Sequence, residues 1–255
     1  SYQGDLWKVP SYGGNAFRLT AMDGIESYPS VSPDGKWLAF SSNQYGNNDV
    51  YLTPLKGGEI KQLTFHESND VVSSWSWDSK TINFDSNRYN AITNFTISIY
   101  GETPKRKFPH YFNTVHNVVQ HPITKDYYFN ESWESFLFSN RKRYKGDYNP
   151  DIKSYNISSQ KYTKHTNFRG KDFGSTIDKK GTVYFKSDEY KGEYNLYKFE
   201  NGNRKRLTNF SSSIMWPKVS ANGDKIVFRK DYQLYVYDVA VGTSKKINVN
   251  INTNS

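Results

Sequence analysis

The sequence contains no cysteine, so no disulfide contributes to its stability; that absence does not exclude export. No run approaches the 18 or so apolar residues of a membrane-spanning helix, which argues against a membrane span. There is no Gly-x-Ser-x-Gly elbow, no His-Glu-x-x-His pair and no glycine-rich loop leading from a strand into a helix. Serine-hydrolase, zinc-hydrolase and phosphate-cradling chemistry are therefore unsupported, and no cofactor is expected. The five histidines, His66, His110, His116, His121 and His165, lack metal-ligand spacing to a carboxylate and read as structural. The oxygen-rich stretches Asn47–Asp49 and Asp147–Asp151 do not match an EF-hand and read as turns. No signal peptide is present, and the chain opens on Ser1. The natural start, with any export signal, is expected upstream, and exported or periplasmic placement is favoured over cytoplasmic.

What the chain does have is aromatic area. Only 35% of residues are hydrophobic, but 21 Tyr, 16 Phe and 6 Trp supply large apolar surfaces and favour strands. Tyr28 to Thr64 reads as four short strands joined by three turns: Ser32-Pro33-Asp34-Gly35-Lys36, Asn43–Asn48, and Lys56-Gly57-Gly58-Glu59. Such a unit cannot bury both faces alone and needs copies of itself. The copies are present. Phe40 of the second strand recurs as Phe84, Phe129, Phe185 and Phe228, at steps of 44, 45, 56 and 43 residues. In the third strand Leu6, Val50, Phe95, Ile152, Leu196 and Leu234 recur at steps of 44, 45, 57, 44 and 38. One domain over 1–255 is expected: a half-blade at 1–20, then blades at about 21–64, 65–108, 109–167, 168–208 and 209–250.

The net charge of +9 raises nucleic acid as a partner. Yet Arg18, Lys61, Arg106, Lys161, Lys164, Arg204, Arg206, Lys245 and Lys246 all fall on the last strand of a unit, where charge blunts an exposed sheet edge. A solvated rim is the better reading, and no nucleic-acid partner is expected. One basic cluster departs from the rule. Arg141-Lys142-Arg143-Tyr144-Lys145-Gly146 lies in an insertion of 13 residues between the second and third strands of the third unit. Trp133, Phe136 and Phe138 precede it and can pin it to the body. Arg88 follows the corresponding strand of the preceding unit. Arg88, Arg141, Lys142, Arg143, Tyr144 and Lys145 are the candidate binders of a peptide carboxylate, because the planar arginine fork suits that group. The competing reading is that these charges are solvated or pair with Glu131 and Glu134.

The SPDGKWLAFSS…NDVYL…GGE…QLT unit resembles the WD40-like repeats of TolB-type propellers and tricorn-type proteases. YQGDLWKVPSYGG, Arg141–Asn156 and Lys186–Phe199 resemble the N-terminal six-bladed propeller of tricorn-like, S41-class peptidases. Arg143-Tyr144-Lys145-Gly146 keeps most of an Arg-Tyr-Arg-Gly-Gly-like loop, with Asp147 in place of the second Gly and Lys153 in place of the Trp of the following strand. The resemblance implies an all-β, six-bladed propeller with its first blade incomplete. It also implies a non-catalytic domain that guides or filters peptides, with the serine peptidase domain downstream in the same chain and a homo-oligomer in the full-length protein. The first alternative is a stand-alone TolB-type interaction propeller of the cell envelope. The second is an enzyme with polar residues converging on an axial channel.

Overall fold

A computed structural model describes residues 1–109 and 114–252. His110 lies outside the described residues. The chain divides into two compact units, Ser1–His116 with Asn248–Ser255, and Asn117–Ile247.

The first unit opens with three two-residue strands, β1 (Trp7–Lys8), β2 (Gly14–Asn15) and β3 (Phe17–Arg18). Blade 1 follows as β4 (Glu26–Val31), β5 (Trp37–Ser42), β6 (Asp49–Pro54) and β7 (Lys61–Gln62). Blade 2 is β8 (Asp70–Trp75), β9 (Thr81–Ser86), β10 (Thr93–Ser98) and β11 (Gly101–Arg106). Blade 3 is β12 (Val115–Gln120), which crosses the division, then β13 (Tyr127–Glu131), β14 (Lys153–Asn156) and β15 (Lys161–Lys164), with the short helix α1 (Trp133–Leu137) after β13. Blade 4 is β16 (Asp172–Ile177), β17 (Val183–Ser187), β18 (Asn195–Glu200) and β19 (Asn203–Arg206). Blade 5 is β20 (Ile214–Val219), β21 (Lys225–Lys230), β22 (Gln233–Asp238) and β23 (Thr243–Lys246), and β24 (Val249–Asn250) is the last strand among the described residues. Every blade is a four-stranded sheet with its strands in chain order.

The expectation of six blades is not met: five four-stranded blades stand among the described residues. The N-terminal half-unit contributes an antiparallel ribbon of β1 and β3, and β2 pairs in parallel with β24. Among the described residues no further strand joins the ribbon, so it stays a two-stranded sheet and not a blade. Leu6 and Leu19 instead pack against Leu38, Phe40 and Tyr51 of blade 1.

Local chemistry explains why the repeat folds the same way each time. In the first turn of blade 1, Ser32 Oγ donates to Asp34 Oδ1 (2.5 Å) and accepts the Trp37 N–H (3.0 Å), while Asp34 Oδ1 accepts the Lys36 N–H (3.0 Å). Ser76, Asp78 and Lys80 repeat this in blade 2, with Ser79 taking a φ of 60° where blade 1 has Gly35 at 72°. In the N-terminal half-unit and in blades 1, 3 and 4 a threonine accepts the N–H at the head of the third strand. Thr20 serves Leu6, Thr64 Val50, Thr166 Ile152 and Thr208 Leu196, at 2.9–3.0 Å. In this way the polar Leu-Thr ending satisfies a buried backbone donor that would otherwise be costly.

The core lies between successive sheets. In the first unit Ala39, Val50 and Leu52 of blade 1 pack with Val72, Ile82, Phe84 and Phe95 of blade 2. In the second, Phe173, Tyr184 and Leu196 of blade 4 pack with Ile214, Ile226 and Phe228 of blade 5. The recurring Phe40, Phe84, Phe129, Phe185 and Phe228 are all buried on second strands. Among the described residues no helix is long and apolar enough to cross a membrane.

Candidate functional site

Among the described residues of the second unit, the insertion between β13 and β14 carries the densest charge. Ser132 caps α1 by accepting the Ser135 N–H, and its own hydroxyl donates to Tyr148 O (2.7 Å). That helix delivers Glu134 into a fully buried position. The Glu134 carboxylate accepts from the Arg141 guanidinium through both Nε (2.8 Å) and Nη2, and from Lys171 Nζ (3.3 Å). Lys171 is itself fully buried and also donates to the carbonyls of Phe138 (2.8 Å) and Arg141 (3.0 Å). Burial holds its pKa below the ordinary lysine value, against the pull of Glu134. The Arg141 guanidinium lies over the rings of Phe138 (4.8 Å) and Tyr144 (4.3 Å).

Blade 4 holds the rest of the loop. The Arg143 N–H donates to Asp188 Oδ2 (2.8 Å), and Asp188 Oδ1 accepts the Lys171 N–H (2.9 Å). Lys142 Nζ and Arg143 Nη2 both reach Glu193, at 2.7 and 3.3 Å, and Ser213 Oγ donates to the same carboxylate (2.6 Å). Burial alone would push the Glu193 pKa up, but these donors outweigh it and hold it below the usual range. Arg143 takes a left-handed φ of 64°, and its side chain lies so close to Gly192 that a Cβ there would meet Arg143 Nε at 2.4 Å. Despite these contacts the Arg143 side chain remains 67% exposed. Lys145 Nζ sits over the Phe168 ring at 4.8 Å, at the edge of a polar cleft of about 180 Å³ whose lining includes Lys145, Asp147, Asn149, Asp151, Phe168 and Arg169.

The structure thus brings Arg141, Lys142, Arg143, Tyr144 and Lys145 together on one braced loop. Arg88 belongs to the other unit. It is buried, donates to Asp70 Oδ2 (2.8 Å) and Ser86 Oγ (2.9 Å), and lies over Phe84 and Phe95, so its charge is committed inside blade 2. The alternative pairing considered for the arginines holds for Arg141 with Glu134, while Glu131 pairs with Lys153 (3.7 Å). Lys171, Asp188, Glu193 and Phe168 were not legible as site residues. They come from blade 4, and no local pattern links them to a loop some 30–50 residues away in sequence. Trp133 lies 5.0 Å from Tyr148 and 5.9 Å from Phe138, ring to ring, and pins the base of the insertion.

Known proteins place this architecture. No curated protein matches the chain significantly. The tricorn protease structure superposes over 99% of this chain with a TM-score of 0.80 at 16% identity, and the chain spans 25% of that protein. A TolB-like protein of Agrobacterium tumefaciens matches 92% of this chain and 89% of its own, with a TM-score of 0.72 at 18% identity. The β-propeller domain of the Trilobed protease from Pyrococcus furiosus, described as having an open velcro topology, gives a TM-score of 0.57 at 14% identity over 91% of this chain and 69% of that one. At these identities the structural likeness establishes the all-β propeller fold. The family assignment comes from the sequence itself, which matches along residues 1–243: the chain belongs to the family of tricorn protease N-terminal β-propeller domains.

Proposed function

We propose that this chain is the non-catalytic propeller of a tricorn-like serine peptidase and that it guides or filters peptides by capturing carboxylates on the Arg141–Lys145 loop. The observation that carries the reading is the bracing of that loop. Lys171 and Asp188 hold its backbone and Glu134 and Glu193 pair with the heads of Arg141, Lys142 and Arg143, yet Arg143 stays largely exposed and Lys145 borders the polar cleft. Charge presented on a rigid frame loses less conformational entropy on binding. Arg143 and Lys145 contact the ligand in this reading, Arg141, Lys142 and Tyr144 position them, and Arg88 is structural. The peptide-bond chemistry is assigned to peptidase domains of the same polypeptide outside these residues.

The test is fluorescence anisotropy of a labelled acidic pentapeptide with the chain and its R143A/K145A variant at about 50 mM salt, where exposed charges are weakly screened. Losing one charge-assisted hydrogen bond removes about 1.5–3 kcal/mol, so affinity should fall at least tenfold. Unchanged affinity overturns the site. A second reading, a TolB-type propeller that binds a protein partner in the cell envelope, is favoured by the extent of the TolB-like match. It predicts partner binding that survives R143A/K145A.

A further inference from the structure

In two blades the residue after the recurring phenylalanine has the same task. Ser41 follows Phe40 and is fully buried; its hydroxyl donates to Asp70 O (3.0 Å) and accepts the Val72 N–H (3.0 Å). Asn130 follows Phe129, is also fully buried, donates to Asp172 O (3.2 Å) and accepts the Gly174 N–H (3.0 Å). In both cases the partners are the first and third residues of the next blade's inner strand, beside its β-bulge. In each case the side-chain oxygen accepts the N–H of a residue at or next to the bulge.

Blade 5 has the same geometry and a different cap. Its inner strand has Ile214 and Trp216 at those two positions, Trp216 has a φ of 50°, and the bulge falls between Met215 and Lys218. The residue after Phe185 is Lys186, which pairs with Phe173 across the ladder and so shares the face on which Phe173 and Tyr184 pack against Ile214. An ammonium can donate but cannot accept, so among the described residues no side-chain oxygen takes the Trp216 N–H. Lys186 is itself stranded. It is 2% exposed, and its Nζ has only the ring faces of Phe173 (4.3 Å) and Tyr194 (5.4 Å), with no hydrogen bond or ion pair among the described residues. Burial pushes its pKa down to about 7, helped by the charges of Lys171 and Lys218. Glu134, which serves Lys171, is shared with Arg141 and does not offset this charge.

We propose that a small carboxylate binds between Lys186 and the inner strand of blade 5, accepting from the Lys186 ammonium and the Trp216 N–H in place of the oxygen that Ser41 and Asn130 supply elsewhere. A nearly buried lysine with no counterion among the described residues, next to a strand whose bulge N–H no side chain caps, supplies two donors suited to an anion, although Trp216 itself is half exposed. A carboxylate carries an oxygen for each and cancels one charge in a lysine-rich neighbourhood, whereas water would supply the acceptor alone. This site is separate from the Arg141–Lys145 loop and does not rest on the peptide-guiding reading.

The test is the melting temperature at pH 6.5 and constant ionic strength, with sodium acetate or N-acetyl-dialanine replacing sodium chloride. For wild type, acetate at about a hundredfold excess over its Kd should raise Tm by about 5 °C or more. K186N supplies the internal oxygen, as Asn130 does, and should be at least as stable as acetate-free wild type and flat in acetate. K186M, which removes the cation, should also be flat and covers the case in which K186N folds poorly. The comparison is repeated in the R143A/K145A background, where carboxylate capture by the loop cannot contribute; that background should still respond to acetate and should lose the response when K186M is added. An equal response to N-acetyl-dialanine assigns the site to a peptide terminus, and a response to acetate alone assigns it to small free acids. Wild type indifferent to acetate, or K186N shifted as much as wild type, overturns the proposal.

Discussion

Replacing Glu134 with glutamine keeps the shape of the side chain and removes one charge from the base of the insertion. Lys171 would then sit fully buried with two carbonyls and no ion-pair partner, the nearby Asp188 being taken up by backbone N–H groups, and one half of the new amide would point a donor at a cation. Breaking a buried pair from one side costs about 3–5 kcal/mol, because the charge left behind is uncompensated. In a domain of this size 1 kcal/mol moves Tm by about 2–4 °C, so E134Q should melt about 10 °C below wild type. The assay is urea unfolding followed by tryptophan fluorescence, with Trp133 next to the substituted residue. K171M is the informative partner. It leaves Glu134 with Arg141 and removes the stranded cation, so E134Q/K171M should recover most of the loss, and the cycle should show a coupling of a few kcal/mol. E134Q within about 1 kcal/mol of wild type, or a double variant no better than E134Q, would refute the view that this carboxylate organises the loop.

Two further outcomes follow from buried polar groups. Asn130→Ala strands the Gly174 N–H and the carbonyls of Asp151 and Asp172, and should cost about 2–4 kcal/mol in the same assay; a loss below about 0.5 kcal/mol would contradict its capping role. Asp49 is buried, and burial, then repulsion from Asp70, pushes its pKa up to about 6 from 3.8. Because the folded value lies above the unfolded one, the native state holds the proton more tightly. The stabilisation is complete below about pH 3.8 and disappears as pH rises through about 6. D49N should therefore flatten the fall in stability between about pH 4.5 and 6.5 by about 2 kcal/mol, and an unchanged slope would contradict the assignment.

The repeat was legible because it is written in residues that do the same job each time. The phenylalanine ruler marks second strands, and the Leu-Thr ending marks a hydrogen bond at the head of the third. The insertion was legible as an excess over that ruler, and its basic residues do share one loop. Its bracing was not legible, since Lys171, Asp188 and Glu193 meet it only when blade 4 packs on blade 3. Arg88 read as a free loop cation because nothing local announces Asp70, which lies 18 residues upstream and across the sheet. The count of six came from treating residues 1–20 as part of a blade. Pattern can identify a half-unit, but only strand pairing shows that it forms a ribbon against blade 1.

The central claim is that the braced loop presents cationic side chains for a carboxylate. It is tested most directly by titrating the chain with one labelled peptide as its free acid and as its C-terminal amide, both without acidic side chains. The account predicts that the free acid binds at least tenfold more tightly and that R143A/K145A erases the difference. Equal binding of acid and amide by wild type would contradict it.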